Sequence, residues 1–137
     1  MMHQSFTLRT SRRCELIPIT SQVRDFVRQS RLNQGICLIY VPHTTAGVTI
    51  NENADPDVVA DLLETLEQLI PNRATYRHAE GNSDAHVKAS LMGVSQTVAI
   101  VDGALVLGRW QGIFFCEFDG PRERTFTVTL TGSEARP

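Results

Sequence analysis

Three of the four histidines in this chain fall in two short polar clusters, which are its clearest candidates for chemistry. The first cluster, residues 42–47, comes directly after an apolar run and contains one histidine and two threonines. The second, residues 78–86, contains two histidines, two carboxylates, an asparagine, a serine and a glycine. A loop that only connects two elements uses Gly, Ser, Asn and Asp, but seldom two histidines and a glutamate. The two clusters are therefore predicted to meet in one pocket.

Metal binding is the first chemistry that these residue types indicate. The imidazoles of His43, His78 and His86, joined by Glu80 or Asp84, supply the nitrogen and oxygen ligands that a divalent cation prefers. Three imidazoles favour zinc over magnesium as the cofactor, because imidazole is the softer ligand. A carboxylate that does not bind metal would orient an imidazole or act as a base. The alternative stays open, since this histidine spacing is no established zinc motif and each ring can instead bond to loop backbone.

Phosphate binding is the second chemistry that the sequence indicates. Arg122 and Arg124 lie on a predicted turn, and Thr44 and Thr45 carry hydroxyl groups in the first cluster. A helix is predicted to begin near His86, and its free N–H groups and positive dipole end suit an anion. Together these groups would hold a phosphate or pyrophosphate, so a small phosphorylated molecule is the expected partner. The alternative for the two arginines is exposure to solvent or an ion pair at an interface.

Two or three helices are predicted to position these groups. Apolar periodicity and capping residues place them over residues 20–28, 56–70 and 85–92. Asp55 suits the N-cap of the second helix, and Pro56 suits its first helical position. Either Ser83 or Asp84 suits the N-cap of the third.

Eight strands are predicted around these helices. They cover residues 5–8, 14–17, 36–41, 48–51, 96–101, 104–107, 113–118 and 125–131. The continuous apolar run 36–41 predicts a strand that is covered on both faces. The tail 132–137 is predicted to be loose. These elements predict one α+β domain over residues 1–137, dominated by antiparallel sheet.

Composition narrows the possible function classes. The 137 residues suffice for one domain with its own core. The net charge is −2 and both signs are mixed along the chain, which argues against a nucleic-acid partner. No apolar run is long enough to span a bilayer and no signal peptide opens the chain, so no membrane partner and a cytoplasmic location are expected. Cys14, Cys37 and Cys116 stand among apolar residues and are predicted to be buried, reduced thiols.

At the level of longer motifs the sequence resembles the YjbQ family. The resemblance rests on residues 43–56, on Glu80 and Gly81 with Asp84 and His86, on residues 88–93, on residues 110–113 with Glu117, and on Pro121, Arg122 and Arg124. These motifs occur in the family's order and cover nearly the whole chain. The resemblance implies a β-sandwich with helices packed on it, assembled as a homotrimer.

The resemblance also implies an enzyme, with secondary thiamine-phosphate synthase activity. That reaction joins hydroxymethylpyrimidine diphosphate to a thiazole phosphate and releases pyrophosphate. On this expectation Asp84, Glu80 and Glu52 are the catalytic carboxylates. Asp84 is further expected to contribute little to folding, because it lies in a loop. The alternative is a metal- or phosphate-binding protein without chemistry of its own.

Two features leave the details of this site open. Asn51 and Glu52 either line the substrate pocket, which the resemblance favours, or only shape the entry to the helix that follows. Arg109 stands where many members of the family have a threonine, and the loop before His86 is shorter than in some members. Both departures put the substrate preference in doubt.

Overall fold

Residues 1–135 are described by a computed structural model, and within them the chain forms eight strands and three helices. The strands are β1 (Met2–Arg9), β2 (Glu15–Pro18), β3 (Leu32–Tyr40), β4 (Ala46–Glu52), β5 (Ser95–Val101), β6 (Ala104–Leu105), β7 (Gln111–Glu117) and β8 (Glu123–Glu134). The helices are α1 (Thr20–Ser30), α2 (Pro56–Leu69) and α3 (Ser83–Met92).

The strands form two antiparallel sheets that enclose the main core. A five-stranded sheet has the order β1-β8-β3-β5-β6, and a three-stranded sheet has the order β2-β7-β4. Side chains alternate across each strand, so that Ile39 of β3 and Val128 of β8 meet Val48 of β4 and Phe115 of β7 in one buried cluster. Helix α1 adds Phe26 and its apolar neighbours to the same cluster.

A second core lies on the other face of the three-stranded sheet. Phe114 and Phe118 pack there against Ala85 and Ala89 of α3, with partly buried leucines of α2 around them. Strand β7 is therefore buried on both faces, between the main core and the two helices. This packing holds the start of α3 beside the end of β7.

The predicted fold class is confirmed, because the chain is an α+β structure of antiparallel sheets with helices packed on it. The prediction that residues 36–41 are covered on both faces is wrong for the single chain. Ile36, Leu38 and Tyr40 are exposed on the outer face of the five-stranded sheet, whereas Cys37 and Ile39 are buried. The strand that is covered on both faces is β7, which lies between the main core and the helices α2 and α3. This position explains its run of bulky apolar residues.

The starts of α2 and α3 differ in how well the sequence locates them. Helix α2 begins at Pro56 as predicted, and Asp55 caps it by accepting a hydrogen bond from the Asp57 N–H at 2.9 Å. Helix α3 begins at Ser83, two residues earlier than predicted, and Asn82 occupies its N-cap position. The earlier start places Asp84 within the helix instead of at its cap, which changes the role of Asp84.

Several smaller predictions concern the chain ends, the thiols and membranes. Cys37 and Cys116 are buried and Cys14 is half-buried, and all three are free thiols. Burial raises the pKa of Cys37 and of Cys116 to about 12, which keeps both protonated.

The tail was predicted to be loose from residue 132, but β8 continues to Glu134. Residues 136–137 lie outside the described part. None of the helices within residues 1–135 is long and apolar enough to cross a membrane.

Candidate functional site

Three segments of the chain meet at one polar cleft. They are the loop between β3 and β4, the start of α3 with the loop before it, and the turn between β7 and β8. The cleft has a volume of about 470 Å³. Its walls are formed by Pro42, His43, Thr44, Thr45, His78, Glu80, Asn82, His86, Asp119, Arg122 and Arg124. The two polar clusters and the two arginines that the sequence singles out are thus brought together.

His43 is held by the backbone of β8. Its Nε2 accepts a hydrogen bond from the Thr125 N–H at 3.0 Å, so the proton of the neutral ring sits on Nδ1. Burial and the nearby positive charge of Arg124 lower the pKa of His43 below its usual value of 6.5. The ring is therefore neutral at pH 7, and its Nδ1–H is a donor.

His78 and His86 form a pair at the opposite wall. Their ring centroids are 5.6 Å apart and the rings are nearly perpendicular. The Nε2 of His78 lies 3.7 Å from Oε2 of Glu80, a carboxylate that is three-quarters exposed. His86 stands in the first turn of α3, on the side of the helix that faces the cleft.

The start of α3 is tied to the β7–β8 turn by Asn82. The Asn82 Nδ2 donates to Oδ2 of Asp119 at 2.9 Å, and the side chain makes no capping bond to its own helix. Its buried Oδ1 has no hydrogen-bond partner within the described residues. Arg122 donates to the same Asp119, from Nε to the carbonyl at 2.8 Å and from Nη2 to Oδ2 at 3.0 Å. The Arg122 side chain remains half exposed.

A buried ion pair between Glu117 and Arg124 lies behind this wall, and the sequence did not predict this pair. Glu117 is fully buried and accepts from the Arg124 Nε and the Thr10 hydroxyl, each at 2.8 Å. Its other oxygen accepts from Arg124 Nη2 and from the backbone N–H groups of Phe118 and Asp119. Burial alone would raise the pKa of Glu117, but these bonds outweigh burial and lower it. A glutamate inside the apolar run 113–118 was the signal for such a partner.

This ion pair gives Arg124 a structural role. Its side chain is only 3% exposed, and Nη2 also donates to the Thr45 hydroxyl at 2.8 Å. Arg124 thus joins β8, β7 and the β3–β4 loop, and its charge is matched by Glu117. Arg124 and Thr45 line the cleft and already contact protein groups there, and phosphate binding by these two residues stays a prediction.

Asp84 faces away from the cleft, into a cluster of charges beside the second core. Both of its oxygens accept from the Arg13 guanidinium, at 2.8 and 2.9 Å, and Oδ2 also accepts from Lys88 Nζ at 3.1 Å. Lys88 is itself buried and donates to Glu67 of α2 at 2.7 Å. Burial would raise the pKa of Asp84, but the bonds from Arg13 and Lys88 lower it overall.

The expected catalytic and loop role of Asp84 is therefore corrected to a structural one. The carboxylate has no exposed surface and lies within α3. Asp84 and His86 are two residues apart, which places them about 200° apart around the helix. Since His86 faces the cleft, Asp84 has to face the interior. Lys88, the one lysine of the chain, stands four residues after Asp84, and that spacing was the available signal.

Asn51 and Glu52 lie at the end of β4, away from the cleft. The Asn51 Oδ1 accepts from the Glu52 N–H at 2.7 Å. Glu52 lines a separate cavity of about 220 Å³ together with Asn53 and Asp55. The structure thus places them at the entry to α2, which is the alternative that the sequence left open. Thr44 lines the cleft and Glu80 stands at its rim.

No metal site forms from the predicted ligands. Within residues 1–135 there is no group of three His, Cys, Asp or Glu side chains arranged to hold a metal ion. The Nε2 of His43 already accepts a hydrogen bond from the Thr125 N–H, and the Asp84 carboxylate accepts hydrogen bonds from Arg13 and Lys88. The metal site predicted from His43, His78 and His86 is therefore not formed within the described residues. The expectation of zinc or magnesium as a cofactor stays a prediction without a ligand set in the described residues.

Several known proteins are similar to this chain in sequence, and solved structures are similar to it in fold. A family model described as "UPF0047 protein YjbQ-like" matches residues 4–133. The UPF0047 protein MJ1081 of Methanocaldococcus jannaschii is 53% identical over 129 residues, which cover 94% of each chain. The UPF0047 protein YugU of Bacillus subtilis is 48% identical over 132 residues, covering 96% of this chain and 100% of that protein.

Solved structures of YjbQ-like proteins have the same fold as this chain. An uncharacterized conserved protein of the YjbQ/UPF0047 family from Clostridium acetobutylicum superposes with a TM-score of 0.92 at 50% identity, covering 93% of this chain and 99% of that one. A YjbQ-like protein of unknown function from Sulfolobus solfataricus superposes with a TM-score of 0.93 at 35% identity, covering 96% and 97%.

These comparisons overturn the expected enzymatic activity. The similar proteins bear only UPF0047 or YjbQ-like names, or are described as uncharacterized or of unknown function. None of these names supports thiamine-phosphate synthesis. The described residues also lack the metal site through which the expected reaction would release pyrophosphate. The synthase assignment is therefore wrong.

Proposed function

The chain belongs to the YjbQ-like UPF0047 family, and we propose that its cleft binds a small phosphorylated molecule through the phosphate group. The observation that carries the proposal is the kind of polar group left free at the cleft. Of the two carboxylates at the cleft, Asp119 already has donors and Glu80 stands exposed at the rim beside His78. The start of α3, His43 and Arg122 still offer N–H groups. A phosphate needs several donors that converge on it.

The start of α3 supplies backbone donors and a positive dipole end. The first N–H groups of any helix have no partner within the helix, and they are usually covered by a side-chain cap. Here Asn82 makes no such cap, because its amide is used on Asp119. The N–H groups of Ala85 and His86 donate to the Asn82 carbonyl, at 3.0 and 3.3 Å, so those of Ser83 and Asp84 are the donors left within the described residues. An anion is a common partner for such N–H groups at a helix start. The negative charge of Asp84 in the first turn is offset by Arg13 and Lys88.

The histidines add donors from two sides. His43 has its proton on Nδ1, since Nε2 accepts from Thr125. Its lowered pKa fixes the neutral form at pH 7, so this donor does not depend on protonation. His86 lies in the same wall as the start of α3 and can contact the same phosphate. Thr44 adds a hydroxyl group at the exposed edge of the cleft.

Arg122 provides the accessible positive charge. Its contacts with Asp119 use Nε and one hydrogen of Nη2, which fixes the plane of the guanidinium. The other N–H groups of the fork are left for a ligand. Because the side chain is half exposed, a ligand reaches it without disturbing the fold. Arg124 acts differently, since it is buried and matched by Glu117.

The test is calorimetric titration of the protein with inorganic phosphate at low ionic strength. The variant Arg122→Gln is expected to weaken phosphate affinity by about tenfold, the usual effect of losing one charge-assisted hydrogen bond. The matched control is Arg28→Gln. Arg28 is also an exposed arginine that pairs with an aspartate three residues earlier, but it lies on α1.

The outcome is decisive in both directions. Weaker binding in Arg122→Gln with unchanged binding in Arg28→Gln supports phosphate at this cleft. Absence of phosphate binding by the wild-type protein, or equal affinities in all three proteins, overturns the proposal.

A further inference from the structure

The phosphate cleft opens into a second cavity of different character. This neighbouring cavity has a volume of about 500 Å³ and shares His43, Thr44 and His86 with the cleft. Beyond these shared residues it is lined by Ala89, Ser90, Gly93 and Val94. None of those four carries a charged group. We call this space the α3 pocket, because the side and the C-terminal end of α3 form its floor.

We propose that the occupant of the site is a phosphate monoester whose organic group is uncharged and mainly apolar, with the phosphate in the cleft and that group in the α3 pocket. This inference rests on the proposed phosphate binding and specifies its substrate class. Two adjoining spaces of similar size, one rich in donors and one without charge, fit a ligand with two unlike ends. His86 stands between them and contacts both parts of such a ligand.

Among the four residues that line only the α3 pocket, the Ser90 hydroxyl, the Gly93 N–H and the carbonyl groups of Gly93 and Val94 are already paired with protein groups. The Ser90 hydroxyl donates to the His86 carbonyl at 2.9 Å. The Gly93 N–H donates to the Ala89 carbonyl at 2.9 Å, and the Gly93 carbonyl accepts from the Val48 N–H at 3.0 Å. The Val94 carbonyl accepts from the Val41 N–H at 2.7 Å. A charged or strongly hydrated group beside these four residues would lose water without gaining these donors and acceptors, which disfavours it.

The volumes also exceed what inorganic phosphate alone would fill. Pockets that bind small organic ligands commonly measure about 300 to 1,000 Å³. The cleft and the α3 pocket each fall in this range, at about 470 and 500 Å³. Gly47 of β4 lies against Gly93, which lines the α3 pocket. A Cβ at position 47 would stand 2.5 Å from the Gly93 carbonyl oxygen, so β4 and the end of α3 approach this closely only with glycine at this position.

The experiment compares three anions that share a phosphate group: inorganic phosphate, glycerol 1-phosphate and phenyl phosphate. Phenyl phosphate is expected to bind wild-type protein at least about tenfold more tightly than the other two, because its ring buries apolar surface in the α3 pocket. Glycerol 1-phosphate has the same ester linkage but a hydrated organic group. It is expected to bind no more tightly than inorganic phosphate.

Two matched variants on one helix locate the ring. Ser90→Phe places a bulky side chain in the α3 pocket and is expected to abolish the advantage of phenyl phosphate over inorganic phosphate. Val87→Phe is its control, since Val87 is exposed on the same helix and lines neither space. It should keep the full advantage. Circular dichroism shows whether both variants are folded.

The two proposals fail in different ways. If inorganic phosphate does not bind at all, the proposed function fails. If inorganic phosphate binds but phenyl phosphate has no advantage, or Ser90→Phe and Val87→Phe behave alike, phosphate binding stands and the substrate class is overturned. Tighter binding of glycerol 1-phosphate than of phenyl phosphate also overturns it, because it would require a polar pocket.

Discussion

The Nε2 atom of His43 accepts a hydrogen bond from the backbone N–H of Thr125 at 3.0 Å. This bond joins the β3–β4 loop to β8, and it determines which ring nitrogen carries the proton. It also explains why the ring resists protonation, since a proton on Nε2 would remove the acceptor. Burial and the charge of Arg124 act in the same direction on the pKa.

The first prediction concerns the pH dependence of stability. Because the folded state lowers the pKa of His43 below 6.5, its contribution is fully present above pH 6.5 and is lost as the pH falls through the lower folded-state value. The variant His43→Gln keeps an acceptor for Thr125 but does not titrate. Its free energy of unfolding should therefore fall less than that of the wild type between pH 7 and pH 5, as measured by urea denaturation.

The control for this prediction is His3→Gln. His3 is exposed on β1, and its ring Nδ1 is hydrogen-bonded to the Thr129 hydroxyl at 2.7 Å. It should keep the pH dependence of the wild type. Identical pH dependence in all three proteins would show that the bond between His43 and Thr125 does not oppose protonation.

The second prediction concerns Asp84. Replacing Asp84 by Asn leaves Arg13 without its carboxylate and Lys88 with only Glu67, so the free energy of unfolding should fall by on the order of 3 kcal/mol. The pKa of Asp84 is lowered on folding, so wild type and variant should converge as the pH falls below the ordinary value of 3.8 and through the folded-state value. Urea denaturation between pH 7 and pH 3 measures both effects.

Asp61→Asn is the comparison for Asp84→Asn. Asp61 is an exposed aspartate on α2, and its replacement should change stability by less than about 0.5 kcal/mol. Equal stability of Asp84→Asn and Asp61→Asn would restore the original expectation that Asp84 is a dispensable loop carboxylate.

The case of Asp84 shows where the sequence was sufficient and where it was not. Polar clusters at the ends of predicted elements correctly indicated that His43, His86 and Arg122 share one cleft. The role of Asp84 was predicted wrongly, because Asp84 was treated as a loop or cap residue and it lies within α3. Each residue turns a helix by about 100°, so a position two residues before His86 faces nearly the opposite way once it belongs to the helix.

The layers of the fold were also only partly predictable. Both β3 and β7 contain apolar runs, and the sequence of either is compatible with cover on one face or both. Only the packing of α2 and α3 on β7 decides that Phe114 and Phe118 are buried. Likewise, Arg122 and Arg124 look alike in the sequence. They differ in role because Arg122 lies in the turn before β8 and pairs with Asp119, whereas Arg124 lies within β8 and points at Glu117.

The third prediction concerns the buried pair of Glu117 and Arg124. Glu117→Gln and Arg124→Gln should each reduce the free energy of unfolding by about 3 kcal/mol, because each leaves a buried charge unmatched. The double variant should cost less than the sum of the two, with a coupling energy of about 2 kcal/mol. The measurement is a double-mutant cycle by urea denaturation at pH 7.

Asp25 and Arg28 provide the matched pair for this cycle. Their side chains are exposed and 3.4 Å apart on α1. Their coupling energy should stay below about 1 kcal/mol, as for other surface ion pairs. Similar coupling in the two cycles would contradict a structural role for the buried pair.

The last prediction concerns assembly, and here we propose a homotrimer. The number three comes from the family resemblance, and the outer face of the five-stranded sheet supports a contact between copies. Ile36, Leu38 and Tyr40 of β3 are 45%, 37% and 44% exposed, and Val101 of the neighbouring β5 is 44% exposed. A contiguous apolar surface at the centre of a sheet commonly marks an interface between proteins.

Leu38→Glu tests the location of this contact. Leu38 points away from the main core, so the variant should fold normally, while its charge would be buried in the interface at high cost. Light scattering at micromolar concentration should give about three times the mass of one chain for the wild type, and a smaller mass for Leu38→Glu. Leu69→Glu is the control, because Leu69 is 69% exposed at the end of α2 and should leave the trimer intact. A wild type that scatters as a monomer or a dimer would refute the trimer. A trimer that survives Leu38→Glu would instead place the contact on another face.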